Sequence, residues 1–297
     1  MLCLVLAAVY ASTCGLLSMG VALLWHAVLE RRRHGARELL TLRLAPAAGA
    51  AFLTLTVALP AFVIHEPHHR AEPVGPLLVL LAVLALGAVG SGMVRGLRAW
   101  GATRALLRRG PEPLAAVVGA WRPRILAAAC VREALSDEEF AQVIAHETAH
   151  VTARDNVKLL LQIVSPDALT WMPAGTALTN RWRAAAELEA DARAGGLDHA
   201  KRLALASALL KVARLSAATG HRSLALRMSA FDDVADRVRE LLAPLPMPNG
   251  RLSNPHGRLT LRTLVACALL IAVISVPLYG VVHDCIEALV ALGSLSQ

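Results

Sequence analysis

The sequence has few charged and aromatic residues and no closely spaced pair of cysteines. Of its 297 residues, 18% are charged, 4% are aromatic and 56% are hydrophobic. A soluble domain has about 25% charged and about 45–50% apolar residues. This composition excludes a single soluble domain, and it excludes a disordered chain because disorder requires low hydrophobicity. The five cysteines form no C-x-x-C pair, which argues against a disulfide framework and against a cysteine zinc site.

Charge is also absent from four long stretches of the chain. Asp, Glu, Lys and Arg are missing from residues 1–29, 44–64, 73–94 and 263–282. Each stretch has the roughly 20 apolar residues that a helix needs to cross a bilayer. The sequence therefore predicts four transmembrane helices, at about 3–28, 44–64, 73–94 and 263–282. The alternative, four helices buried in a large soluble core, is disfavoured by the charged flanks of the stretches.

The distribution of arginine predicts the orientation of these helices. Segments Glu30–Arg43 and 95–109 are rich in arginine, whereas the loop His65–Glu72 contains only Arg70. By the positive-inside rule, the two basic segments face the cytoplasm and the loop faces outward. The first stretch lacks the basic start of a signal peptide, so we expect an uncleaved anchor with its N-terminus outside. Both termini are then outside a multi-pass protein of the cytoplasmic (inner) membrane. Arginines that keep these segments in the cytoplasm account for the net charge of +8. The expected partner is therefore the lipid bilayer, and no direct nucleic-acid partner is predicted.

A more polar segment, residues 101–258, lies between the third and fourth predicted helices and is long enough for one domain. Ser136 and Glu139 fit the capping-box pattern, which predicts a helix start at Asp137. The predicted elements of the segment are two short strands at 114–118 and 124–131, and helices at about 137–163, 176–194, 198–217 and 229–243. The fold class is therefore mainly α.

The first predicted helix of this segment carries the pattern H-E-x-x-H as His146, Glu147 and His150. Residues four apart on a helix differ by about 40° in direction, so both imidazoles can reach one point and offer two nitrogen ligands to Zn²⁺. Glu147 points to the neighbouring side, where it is the predicted general base for an attacking water. The alternative is a pair of surface histidines, which the apolar neighbours Ile144 and Val151 disfavour.

A catalytic zinc ion needs a third protein ligand and one open position. Glu187 and Asp191 are four residues apart in the predicted helix at 176–194 and share a face. Glu187 is the predicted third ligand, and Asp191 is predicted to accept the other N–H of a ligand histidine. For this helix taken alone an alternative stays open, in which the acids only pair with arginines such as Arg183 and Arg193.

These motifs resemble those of the BlaR/MecR-type membrane zinc metallopeptidases, known as β-lactam signal transducers. The H-E-x-x-H pattern continues into Arg154-Asp155-Asn156, which is similar to the family's Arg-Asp-Asn. Glu187-Leu188-Glu189-Ala190-Asp191 is similar to its Glu-Leu-x-x-Asp, whose first glutamate is the third zinc ligand. The resemblance implies three transmembrane helices in 1–100, a zincin-like α+β metallopeptidase domain in 101–258 on the cytoplasmic side, and a fourth transmembrane helix with a short outer tail in 259–297.

The resemblance implies hydrolysis of a protein substrate in signal transduction, either a cytoplasmic transcriptional repressor or the chain itself. The sensor members continue into a penicillin-binding domain, whereas only about 15 residues follow the fourth predicted helix here. We therefore expect the signal to come from a partner, from the membrane helices or from the outer loop. Two alternatives stay open: an HtpX-like protease for quality control of membrane proteins, and a non-enzymatic membrane receptor or scaffold. A homo-oligomer is also an open option.

Overall fold

The computed structural model describes residues 2–31, 34–65, 75–109, 115–218 and 234–244, and the protein is mainly helical. The fourth predicted transmembrane helix, the C-terminal tail and most of the outer loop lie outside the described residues. The helices are α1 (Leu2–Leu24), α2 (Ala36–Leu53), α3 (Leu59–His65), α4 (Pro76–Arg109), α5 (Ala129–Ala134), α6 (Asp137–Ala153), α7 (Asp155–Val164), α8 (Pro173–Gly195), α9 (His199–Ala218) and α10 (234–242), and the strands are β1 (Ala115–Val118) and β2 (Arg124–Ala127).

Three helical stretches are long and apolar enough to cross a membrane: Leu2–Ala27, Ala36–Val63 and Pro76–Ala105. We call them the span helices, and they coincide with the first three predicted ones. The second and third are longer than their uncharged runs, since α2 begins at Ala36 and α4 continues to Arg109. Arginine and leucine at the flanks favour helix, so loss of apolar character does not end the helices. The first span helix packs against both of the others.

The strands β1 and β2 form an antiparallel hairpin in which Ala115 pairs with Ala127 and Val118 with Arg124. Gly119 follows β1 with a φ of 97°, a backbone conformation that suits glycine. The prediction of a second strand up to residue 131 is wrong, because α5 begins at Ala129. The alanines there have little preference for a strand.

Helix α6 begins at Asp137, as predicted, and its capping box is complete. Ser136 Oγ accepts a hydrogen bond from the Glu139 N–H at 3.2 Å, and the Ser136 N–H donates to Glu139 Oε2 at 2.8 Å. The prediction of one helix to about Ile163 is wrong. Arg154 adopts φ 56° and ψ 40°, so α6 ends there and α7 starts at Asp155. Two consecutive helices therefore take the place of the one that was predicted.

The span helices and the helices of the polar segment share one hydrophobic core. Trp25 and Leu39 from the first two span helices pack with Leu178 and Trp182 of α8 and with Leu169 of the short 3₁₀ turn before it. All five side chains are at most 2% exposed. Helix α8 therefore lies along α2, and the span helices position the helix on which Glu187 lies.

Candidate metal centre

The structure brings the three predicted ligand side chains together. His146 Nε2 and His150 Nε2, both on α6, are 3.1 Å apart. The Glu187 carboxylate of α8 lies between them, with Oε2 at 3.4 Å from His146 Nε2 and Oε1 at 3.5 Å from His150 Nε2. One ligand atom from each residue lies within 4.8 Å of the other two. Tetrahedral ligands at about 2.0–2.1 Å from a zinc ion are about 3.3–3.4 Å apart, so the spacing and the donor atoms fit Zn²⁺ with one open position.

Each of the two histidines has an aspartate at its other ring nitrogen. Asp155 Oδ2 lies 2.8 Å from His150 Nδ1, and Asp191 Oδ1 lies 2.8 Å from His146 Nδ1. The second contact is short but poorly aligned, since His146 Nδ1 has no well-directed acceptor among the described residues. Carboxylates in these positions favour a proton on Nδ1 and leave Nε2 available to a metal ion.

Arg237 of α10 holds the acidic side of this cluster. Its Nε and Nη2 atoms donate to the two carboxylate oxygens of Asp191 at 2.7 and 2.8 Å, and its Nη1 lies 2.9 Å from Glu187 Oε2. Arg202 of α9 in turn donates to the Leu241 carbonyl at the end of α10 at 2.8 Å, which fixes that helix. The fork of one guanidinium therefore sets the position of two carboxylates.

Glu147 is buried beside the histidines and is 9% exposed. Burial raises the pKa of its carboxyl group, although the charges of His146 and His150 and the Val117 backbone act in the opposite direction. Asn156 Nδ2 donates to the carbonyls of Val117 and Gly119 at 3.0 and 2.9 Å, which ties the β1 end of the hairpin to α7. The hairpin thus lies next to the predicted general base.

Opposite charges dominate the electrostatics of the cluster. Burial alone would lower the pKa of His150, but the contacts with Asp155 and Glu187 outweigh it and raise that pKa to about 10. The pKa of His146 is raised in the same way against burial, by Asp191 and Glu187. Burial would raise the pKa of Glu187, but both histidines and Arg237 hold it below its usual range. The pKa values of Asp155 and Asp191 are likewise lowered, so these three carboxyl groups favour the ionised form that acts as a ligand or acceptor.

The sequence did not predict that Asp155 and Arg237 lie in this centre. In the sequence, Asp155 is recognised only as part of the Arg-Asp-Asn resemblance, and the break at Arg154 brings its carboxylate to His150. Arg237 carried no signal in the sequence, because its partners Glu187 and Asp191 lie about 50 residues earlier in the chain. The metal role of His146, His150 and Glu187 stays a prediction that the geometry supports.

Comparison with known proteins agrees with the motif resemblance. Residues 113–241 match the family described as BlaR1 peptidase M56. This range contains every residue of the cluster, from the hairpin beside Glu147 to Arg237. The resemblance to the BlaR/MecR-type peptidases is therefore confirmed, and the match implies peptidase activity for this segment. No curated protein and no solved structure shows significant similarity to the chain.

Proposed function

We propose that the protein is an integral membrane zinc endopeptidase with its active site at the cytoplasmic face. The observation that carries the proposal is the convergence of His146, His150 and Glu187 with Glu147 buried beside them. Two imidazoles and one carboxylate are the ligand set of one class of catalytic zinc site, and three protein ligands leave a position open for chemistry. A structural zinc site would be closed by a fourth protein ligand.

In this proposal the residues of the cluster have distinct roles. When bound, Zn²⁺ supplies Lewis acidity, which polarises a carbonyl group and makes water more acidic. Glu147 accepts a proton from the attacking water and delivers it to the leaving amine. Asp155 and Asp191 keep the histidines in the tautomer and orientation that ligation requires.

The cytoplasmic location is proposed from the end of α2 at which the site lies. The Ala36 N–H at the start of α2 donates to Glu189 Oε1 at 3.2 Å, so the α8 turn that contains Glu187 is next to this end. The residues before Ala36 are rich in arginine, and such segments stay in the cytoplasm. For the substrate we propose a cytoplasmic regulatory protein, either a transcriptional repressor or the chain itself.

The experiment compares Glu147→Gln with a control, Glu138→Gln, in the full chain. Loss of the general base should keep zinc bound but slow proteolysis by about 10²–10⁴-fold. Glu138 is exposed on the same helix, so its variant should behave as the wild type. Zinc is measured by metal analysis of the purified protein, with His146→Ala as the variant that should lose it. Cleavage is measured by comparing the intact cytoplasmic and membrane proteins of cells that express each variant.

Three results would contradict this proposal. Retained cleavage by Glu147→Gln would remove the base, and equal zinc in His146→Ala would remove the metal site. Accumulation of many damaged membrane proteins, rather than one intact regulator, would favour quality control over signalling.

A further inference from the structure

The segment 163–170 comprises the last two residues of α7 and most of the chain between α7 and α8, and each span helix contacts it. We call this segment the connector. It starts at the end of the helix that begins with Asp155, and it precedes the helix on which Glu187 and Asp191 lie. The connector therefore links the helix that carries Asp155 to the helix that carries Glu187. Contacts that fix the connector also fix the position of these two helices relative to each other.

The strongest contact to the connector comes from Arg43 on the second span helix. Arg43 Nη1 donates to Asp167 Oδ2 at 2.7 Å, and its Nη2 donates to the Gln162 carbonyl at 3.2 Å and to Thr170 Oγ1 at 3.1 Å. Arg43 is 3% exposed and Asp167 is 1% exposed. One guanidinium thus ties the end of α7 to both sides of the connector.

The other two span helices contact the same few residues. Tyr10 of the first donates its hydroxyl to the Pro166 carbonyl at 3.1 Å. Arg95 of α4 donates to the carbonyls of Ile163 and Ser165 at 2.8 and 3.1 Å. At Gly92 of α4 a Cβ would lie 2.3 Å from the Val164 carbonyl oxygen, so the connector packs directly against the backbone of α4.

Helix α8 begins directly against the connector. A Cβ on Gly175, in its first turn, would lie 1.9 Å from the Leu169 carbonyl oxygen. Asp167 also accepts a hydrogen bond from the Thr170 N–H at 3.1 Å, which fixes the turn before α8. A displacement of the connector therefore displaces the start of α8.

From these contacts we infer that Arg43 is a positioning residue of the metal centre, through which the second span helix sets the distance between the α6 histidines and Glu187. The inference rests on the proposed function. A buried ion pair is a poor way to gain stability, because desolvation offsets most of its attraction. A change in the packing of the span helices would move the connector, and through it the metal ligands.

The test uses the full chain in detergent and compares Arg43→Met with Arg37→Met. Arg37 is exposed on the same helix, so its variant loses the same charge without touching the connector. Zinc affinity is measured with Zn²⁺ alone by competition with a chromophoric chelator, and ligand geometry by the visible spectrum of the Co²⁺-substituted protein. Arg43→Met should raise the dissociation constant for zinc by about 10–100-fold, as loss of outer support of a metal site does, and should alter the Co²⁺ spectrum. Arg37→Met should change neither.

Arg43→Lys and Asp167→Asn keep the inference testable where Arg43→Met does not fold. A lysine keeps the charge but lacks the fork that reaches Asp167, Gln162 and Thr170 together, so it should shift zinc affinity and spectrum in the same direction by less. Wild-type affinity and spectrum in folded Arg43→Lys and Asp167→Asn would overturn the inference. Zinc binding by the wild type in that case would leave the proposed function intact. A wild type that binds no zinc would overturn the proposed function, and the inference with it.

Discussion

Substitution of Glu139 by glutamine tests how the helix of the H-E-x-x-H pattern is held at its start. The Glu139 carboxylate is 7% exposed and accepts hydrogen bonds from Ser136 N at 2.8 Å, Ser207 Oγ at 2.6 Å and Lys211 Nζ at 2.7 Å. In an amide of the same shape, the nitrogen can replace Oε1, where the Ser207 hydroxyl can accept instead of donate. The remaining amide oxygen carries no charge and is a weaker acceptor for the Ser136 N–H and for Lys211. A hydrogen bond to a charged group contributes about 1.5–3 kcal/mol, so Glu139→Gln should lower the free energy of unfolding by about that amount.

The effect of this substitution should depend on pH. Burial would raise the pKa of Glu139, but the Lys211, Ser207 and Ser136 donors outweigh it and hold that pKa below its ordinary value. A carboxyl group with a depressed pKa stabilises the fold above its unfolded pKa of about 4.3. Its contribution is lost as pH falls through the depressed value. The wild type should therefore exceed Glu139→Gln in stability at pH 7, and the gap should narrow in acid.

The assay is thermal unfolding of the full chain in detergent, followed by tryptophan fluorescence at pH 7 and in acid. Each kcal/mol corresponds to about 2–4 °C in Tm for a chain of about 150–250 residues. Glu138→Gln is the matched control, because Glu138 is the exposed neighbour on the same turn. Equal Tm values for the Glu139 and Glu138 variants at pH 7 would refute the reasoning. A gap that widens in acid would refute the sign of the pKa argument.

Two further substitutions test the metal centre and the start of α8. Asp191→Asn should weaken zinc binding by about 10–100-fold, because the amide no longer carries the charge that supports His146 and pairs with Arg237. Chelator competition measures the zinc affinity, and the control Asp198→Asn, at an exposed position, should bind zinc as the wild type does. Equal zinc affinities of Asp191→Asn and the wild type would contradict the role of Asp191. Gly175→Ala should destabilise the protein by about 1–3 kcal/mol or more, because its Cβ would lie 1.9 Å from a backbone oxygen. The control in the same thermal assay is Gly101→Ala in α4, where a Cβ would have open space. A Gly175→Ala variant as stable as that control would contradict the close packing at Gly175.

Short-range features of the protein could be predicted from sequence. The spacing of His146 and His150 places both on one helix face, and the Ser136–Glu139 pair gives the start of that helix, because both patterns lie within about one turn. The lengths of the uncharged runs predicted where three span helices lie, but not that the second begins at Ala36 or that the third continues well beyond residue 94. A charged residue marks where a helix prefers water to lipid, but it does not end the helix. Helix α4 continues past Arg95 because its next residues still favour helix.

Features that depend on the path of the chain could not be predicted. Arg154 has no glycine-like signal for its left-handed backbone, and the apolar run after it continues a helical pattern. The prediction of an unbroken helix followed from that pattern, and it hid the return of Asp155 to His150. Arg237 and Arg43 join the site or its support from helices far away in sequence. Long-range pairs of this kind leave no local pattern.

The mixed core of Trp25, Leu39, Leu178 and Trp182 has a practical consequence for biochemical work. A protein fragment that starts after α4 would expose the side of α8 that these tryptophan and leucine side chains now cover. Such a bare apolar strip invites aggregation in water. Production of this protein for biochemical work therefore calls for solubilising the entire polypeptide with a surfactant, rather than trimming it to the residues that follow α4.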